Sequence, residues 1–290
     1  MNMNKLLTLA AVAIGTGFAL PAAALTIDGN LADWGINPAT WAPAPGSGIH
    51  ATIEDGTGGG AFYLNPGWGG QAYDAEALYA NLSLTDQKLY IALATGHNPR
   101  TLNQPSANSY GAGDFAIDFG KDGSYEVGIN IKHVTSFVNS TNYTVESFGV
   151  EGGIYRNAQW NYGLWTSSGG YTNPSAPGYS PDPLHPTYLA GGTLAGMATL
   201  AYTTTPTTGY GAAPLDGHYF YEMSLDLQVL RNSGWHDGQA FDIHWTENCA
   251  NDSILVDPPG DLPEPGTLLL TGLGLLGLVH PRTKKKAVAR

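Results

Sequence analysis

The chain has one cysteine, Cys249, so no disulfide can form within it. That excludes the disulfide-stapled scaffolds of small secreted proteins, and a lone thiol near apolar strand residues is expected to be buried. No Cys/His spacing suits zinc, no Gly-x-Ser-x-Gly elbow occurs, and there is no P-loop. Charge is also scarce, at 12% of residues, and basic charge scarcest, with Lys+Arg 12 against Asp+Glu 24. Six of those 12 basic residues, but only Glu264 of the acids, lie in the terminal segments 1–24 and 262–290. Residues 25–261 therefore carry six basic and 23 acidic side chains, a formal charge of −17. Such a surface repels nucleic acid and anionic lipid headgroups and attracts divalent cations.

Turn formers and apolar residues are plentiful. Gly 39 and Pro 19 favour strands and turns over helices, and 42% hydrophobic with 11% aromatic residues is enough for a core. The length of residues 25–261 fits one large all-β domain.

The two ends follow different rules. Lys5, the apolar residues 6–20 and Ala22-Ala23-Ala24 make a secretory signal peptide over residues 1–24. The last segment, 262–290, begins with Pro263-Glu264-Pro265 and continues as an apolar helix over 266–279. It ends in a basic tail over 282–290 with Arg282, Lys284, Lys285 and Lys286. The helix enters lipid while the basic cluster stays cytoplasmic. It is shorter than the ~20 residues of a stable span, which suits transient insertion. This order resembles the PEP-CTERM sorting signal of Gram-negative bacteria. The resemblance implies export by the general secretion machinery and membrane attachment through the C-terminal helix. It implies cutting near the tripeptide by an exosortase, and a place at the cell surface or in the extracellular matrix of a biofilm.

Between the ends, alternation marks strands. Leu78, Ala80, Leu82 and Leu84 face Leu89, Ile91 and Leu93 across the loop 85–88, with Leu84 expected opposite Leu89. Phe115, Ile117 and Phe119 face Tyr125, Val127, Ile129 and Ile131 across Lys121-Asp122-Gly123, with Phe119 expected opposite Tyr125. Further strands are expected over 143–148 and 154–160, one over 189–202, one over 219–227 ending in a short helix at 227–232, and one over 241–245. The rest of 166–216 is a long Gly/Pro/Ser/Thr-rich loop. The phrases Leu25-Thr-Ile-Asp-Gly-Asn-Leu-Ala-Asp-Trp34 and Tyr221-Glu-Met-Ser-Leu-Asp-Leu-Gln-Val-Leu230 resemble carbohydrate-binding module family 9-like and DOMON-like β-sandwiches. The expected fold is all-β: a single antiparallel β-sandwich, jelly-roll-like, with long loops.

Chemistry is harder to place. Asp242, Glu247, Glu222 and Asp226 are the acids a glycoside hydrolase would recruit, yet nothing in their spacing pairs two of them across a cleft. His236-Asp237 and His244 have no nucleophile beside them. The expectation is a non-catalytic protein. Trp68, Trp160, Trp165 and Trp235 sit in loops or at strand ends and are the candidate rings for stacking on extracellular polysaccharide. The second hairpin places Asp118 opposite Glu126, a like-charge pair that costs roughly 0.2–1 kcal/mol unless a cation offsets it. Calcium, which takes oxygen ligands, is the expected ion, and a calcium-stabilised surface protein without a glycan ligand is the alternative. Asp114 lies ~13 Å along the strand at ~3.3 Å per residue, too far to share the ion.

Both signals should be absent from the exported protein. Intact-mass measurement is expected to show a chain beginning at Leu25 and ending near Pro263. Recovery of the Lys284-Lys285-Lys286 tail on extracellular material would overturn that reading.

Overall fold

The computed structural model describes residues 25–56, 69–104, 107–139, 142–145, 148–162, 185–250 and 252–258. Both terminal signals, including Pro263, Glu264, Pro265 and the basic tail, lie outside the described residues, as do Trp68 and Trp165. In chain order the strands are β1 (His50–Ile53), β2 (Ala75–Ser83), β3 (Lys88–Thr95), β4 (Phe115–Phe119), β5 (Tyr125–Ile129) and β6 (Val134–Phe137). They continue with β7 (Tyr143–Val145), β8 (Gly153–Tyr162), β9 (Pro186–Met197), β10 (Thr199–Tyr202), β11 (Tyr219–Asp226), β12 (Phe241–Thr246) and β13 (Ser253–Val256). One α-helix, α1 (Leu227–Asn232), follows β11.

The strands form a five-stranded sheet, β1-β2-β3-β11-β10, and a six-stranded sheet, β13-β12-β4-β5-β8-β9, with β6-β7 as a small ribbon. All strand pairs are antiparallel. The two large sheets pack face to face in a sandwich-like arrangement. Leu78, Leu82, Ile91, Leu93, Tyr221 and Met223 from the first meet Phe115, Ile117, Val127, Phe241, Ile243 and Trp245 from the second in one core. At one margin the Thr52 hydroxyl of β1 donates to the Leu255 carbonyl of β13 at 2.7 Å. At the other the chain passes from sheet to sheet at Ala198, whose N–H donates to the Gly152 carbonyl at 2.7 Å. The single strand expected over 189–202 is thus two strands in different sheets.

Registers keep the expected parity but not every pairing. In the first hairpin Leu82 faces Leu89, Ala80 faces Ile91 and Leu78 faces Leu93, two residues away from the expected register. Ser83 is the cause: it pairs with Lys88, and its hydroxyl accepts from Asp86 N at 3.1 Å, so Leu84 falls into the turn. A shift of two leaves each side chain on its face. In the second hairpin Phe115 faces Ile129 and Ile117 faces Val127, as expected. Then Asp118, rather than Phe119, faces Tyr125. Glu126 is the extra residue of a β-bulge.

The outer face of the five-stranded sheet is not solvated. Ala77, Tyr79, Tyr90, Ala92, Ala94 and Phe220 form a second, smaller core with Leu31, Trp34 and Trp41, contributed by residues 25–49. Glu222 of β11 lies on this face, fully buried. Its Oε2 accepts from the N–H groups of Asp28, Gly29 and Asn30, and its Oε1 accepts from Trp34 Nε1 at 2.6 Å. A hydrogen bond to a charged group contributes roughly 1.5–3 kcal/mol, and a stranded buried donor costs ~1–3 kcal/mol. Glu222→Ala is therefore expected to lower unfolding free energy by about 3 kcal/mol or more in urea denaturation and to red-shift tryptophan emission. Glu222→Gln, which keeps one acceptor, should lose an intermediate amount. A loss under about 1 kcal/mol for the alanine variant would remove this role.

Candidate functional site

Three places on the described structure gather chemistry-bearing side chains. The first is the outer face of the six-stranded sheet. Trp160 of β8 is partly exposed, and its Nε1 donates to the Tyr125 carbonyl at 3.0 Å. A Cβ at Gly128 would lie 2.8 Å from the Trp160 ring, so only glycine lets the indole settle on β5. Tyr125 stands edge-on to it at 6.5 Å and 5.6 Å from the His244 ring, which lies 3.3 Å from His185 between Nε2 and Nδ1. Trp235 does not join this face. It is 1% exposed, packs edge-on against Phe241 at 6.1 Å and donates to the Gln239 carbonyl. Trp235 is a core ring, with no face free for a ligand.

The second place is the turn of the β4-β5 hairpin. Carboxylate oxygens of Asp118, Asp122 and Glu126 lie within 4.8 Å of one another. Asp122 was not among the residues the pattern suggested, because the bulge was not legible. Each carboxylate already accepts from its own turn. Asp118 takes Asp122 N and Gly123 N at 3.2 and 2.7 Å, Glu126 takes Phe119 N at 2.8 Å, and Asp122 takes Ser124 N at 2.9 Å. Backbone dipoles thus offset much of the repulsion that the hairpin pairing implied. Burial holds the Glu126 carboxyl above its ordinary range, against the Phe119 N–H.

The third place had no strong sequence signal. Where β1 and β3 end and β2 and β11 begin, Asp55, Asp74, Glu76, Asp216, His218 and Gln71 line a cavity of about 240 Å³. Glu76 is the extra residue of a bulge between Ala75 and Ala77, and bulges re-aim side chains. His218 is fixed by paired backbone bonds with Thr207, each 2.8 Å. Gln71 is pressed against Gly96, where a Cβ would meet the Gln71 carbonyl at 1.7 Å. His218 Nε2 lies 3.0 Å from Glu76 Oε1, which also accepts from Gln71 Nε2 at 2.9 Å. Behind the cavity sit Asp252, whose Oδ2 accepts from Ala75 N, and Glu247, both fully buried. Burial, then Glu76 and Asp252, push the Asp74 carboxyl up to about 9. Burial and Asp252 likewise push Glu54 up to about 7 and Glu247 well above its ordinary range.

The acids a hydrolase would recruit lie apart. Glu222 is buried under residues 28–34, and Asp242 lies 3.4 Å from Lys121 on the opposite sheet. Asp226 stands exposed at the N-cap position of α1 without a side-chain capping bond, and Glu247 lies behind Asp74. Cys249 is buried and forms no disulfide. Compared with protein-family models, curated proteins and solved structures, the chain matches none of them.

The cavity has a consequence for pH. The folded Asp74 value of about 9 lies above the ~3.9 of an unfolded chain. The folded state binds the proton more tightly, so this stabilisation is full below about pH 4 and is lost as pH rises toward 9. Glu54 adds the same sign between about 4 and 7. Unfolding free energy from urea titrations should therefore fall from pH 5.5 to 8.5, and Asp74→Asn should flatten the fall. An equally steep fall in the variant would dismiss Asp74 as its source.

Proposed function

We propose that the chain is an exported, exosortase-processed and non-catalytic surface or matrix protein. In this reading residues 25–261 form one jelly-roll-like β-sandwich that associates weakly with extracellular polysaccharide. The observation that carries it is the tethered, partly exposed Trp160 beside the partly exposed Tyr125 on the outer side of the six-stranded sheet. Such rings offer flat apolar surface to sugar C–H groups, while His185 and the neighbouring Asn161 and Tyr162 carry hydrogen-bonding groups. The terminal signals support the address, by their resemblance to exported, sorted proteins. A shallow site of this kind gives about 4–6 kcal/mol, or millimolar to tens of micromolar affinity. Retention then comes from many copies acting together in one matrix.

A second reading, a calcium-stabilised surface protein without a glycan ligand, draws on the convergence of Asp118, Asp122 and Glu126.

Affinity electrophoresis of the folded protein through gels containing host polysaccharide separates the two. Retardation in both calcium and chelator, lost by about tenfold or more in Trp160→Ala, is expected. That factor corresponds to about 1.4 kcal/mol. Unchanged migration on every host glycan would leave the second reading standing.

A further inference from the structure

The cavity at the β2 and β11 end plays no part in the polysaccharide reading, and its chemistry is one-sided. Four of its lining side chains are acids, one is His218, and none is Lys or Arg. Asp74 is 1% exposed, and its carboxyl group is hydrogen-bonded to another acid, Asp252, rather than to a basic side chain. Glu76 Oε2 and His218 Nδ1, on side chains equally withdrawn from solvent, have no hydrogen-bond partner. A buried acceptor left without a donor is costly, and two such atoms bordering a cavity lined by acids point to a ligand that brings donors with it.

Size and spacing narrow the ligand. The cavity far exceeds the ~10–15 Å³ that one water requires and falls just below the ~300 Å³ where drug-sized pockets begin. Calcium holds its oxygens at about 2.3–2.6 Å, so three carboxylates on one ion must converge closely. Among the described residues only Asp118, Asp122 and Glu126 do so, and the cavity acids do not. An ammonium group has no such need, because it carries three N–H donors that can reach separated acceptors.

We propose that this cavity binds a small organic ammonium ion, with Asp74 and Glu76 accepting the N–H groups of its protonated amine. Without that ligand a proton does the same work, since burial and the neighbouring acids keep the Asp74 carboxyl protonated through neutral pH. The groups that face it are Glu76, Asp252 and Asp55, with Asp216 and His218 across the cavity and Glu54 and Glu247 nearby. All but His218 are acids, so a bound cation displaces a proton to solvent.

The test uses the purified chain and six probes. Ethanolamine and glucosamine carry the amine, ethylene glycol and N-acetylglucosamine are their uncharged counterparts, and calcium and magnesium chlorides are run separately. A rise of several degrees in melting temperature is expected with millimolar amine and none with the uncharged partners. Calorimetric heats should vary with the ionisation heat of the buffer, as proton release requires. The Asp74→Asn, Glu76→Gln double variant should bind at least tenfold more weakly with an unchanged circular dichroism spectrum. If that variant does not fold, the comparison of amine with uncharged probe on the unaltered protein decides. A response to glucosamine alone assigns an amino sugar, and a response to both amines assigns the ammonium group itself. No response to either amine, an equal response to the uncharged probes, or a response to the divalent cations alone overturns the proposal.

Discussion

The architecture depends on one buried carboxylate. Glu222 takes four N–H donors from residues 28–34, matching the roughly four acceptor sites a carboxylate offers. Gly29, at φ 84°, gives the turn its shape, and Asn30 then caps the short 3-10 helix Leu31–Trp34 by accepting from Ala32 N. Trp34 is thereby set beside Tyr79, whose hydroxyl donates to the Trp41 carbonyl at 2.8 Å. Two polar side chains, Glu222 and Tyr79, thus fasten residues 25–49 over a largely apolar sheet face. Without them Tyr79, Ala92, Ala94 and Phe220 would face water, and the five-stranded sheet would have a greasy back.

How much of this was legible follows from what side-chain alternation encodes. Period two assigns faces, so Leu78, Leu82, Ile91, Phe115, Ile117, Ile243 and Trp245 all lie in the main core as their pattern implied. It does not encode a bulge, and both acids that the structure re-aims, Glu76 and Glu126, are bulge residues. It does not separate one long strand from two, so the passage between sheets at Ala198 was invisible. Nor does it report that the outward residues Tyr79 and Phe220 have a cover of their own. The cavity draws Asp55, Asp74 with Glu76, and His218 from three stretches of chain that only the sheet order brings together. Its one trace in the sequence is a set of acids, Asp74 and Glu76 before an apolar strand and Glu247 and Asp252 after another, with no basic residue near either. Trp235 misled for the opposite reason: a ring after a helix and before a Gly reads as a loop ring, yet it closes the end of the core.

Acid is distributed in two physically different ways. At the β4-β5 turn Asp122 and Glu126 keep contact with solvent, Asp118 is buried, and all three hold backbone N–H groups, so their charge is used locally. Below β2 they are stacked in the interior, where charge is suppressed by protonation. In a protein this poor in basic residues, the described lining of that stack holds no Lys or Arg, and His218 against Glu76 is its one basic side chain. Its interior therefore answers to whatever cations, protons included, the surroundings supply.

The strand order also governs how the chain can be assembled from one end. β2 and β3 are close in sequence and pair as soon as both exist, but the other edge of β3 waits for β11, with Thr95 opposite Tyr219. Residues 25–49 wait as long, since their anchor is in the same late strand. A chain threaded through a pore with its N-terminus leading would carry an unpaired apolar strand edge and an unattached leading segment for more than a hundred residues. It stays unfinished, and so threadable, until β11 follows and closes the edge and the cover together.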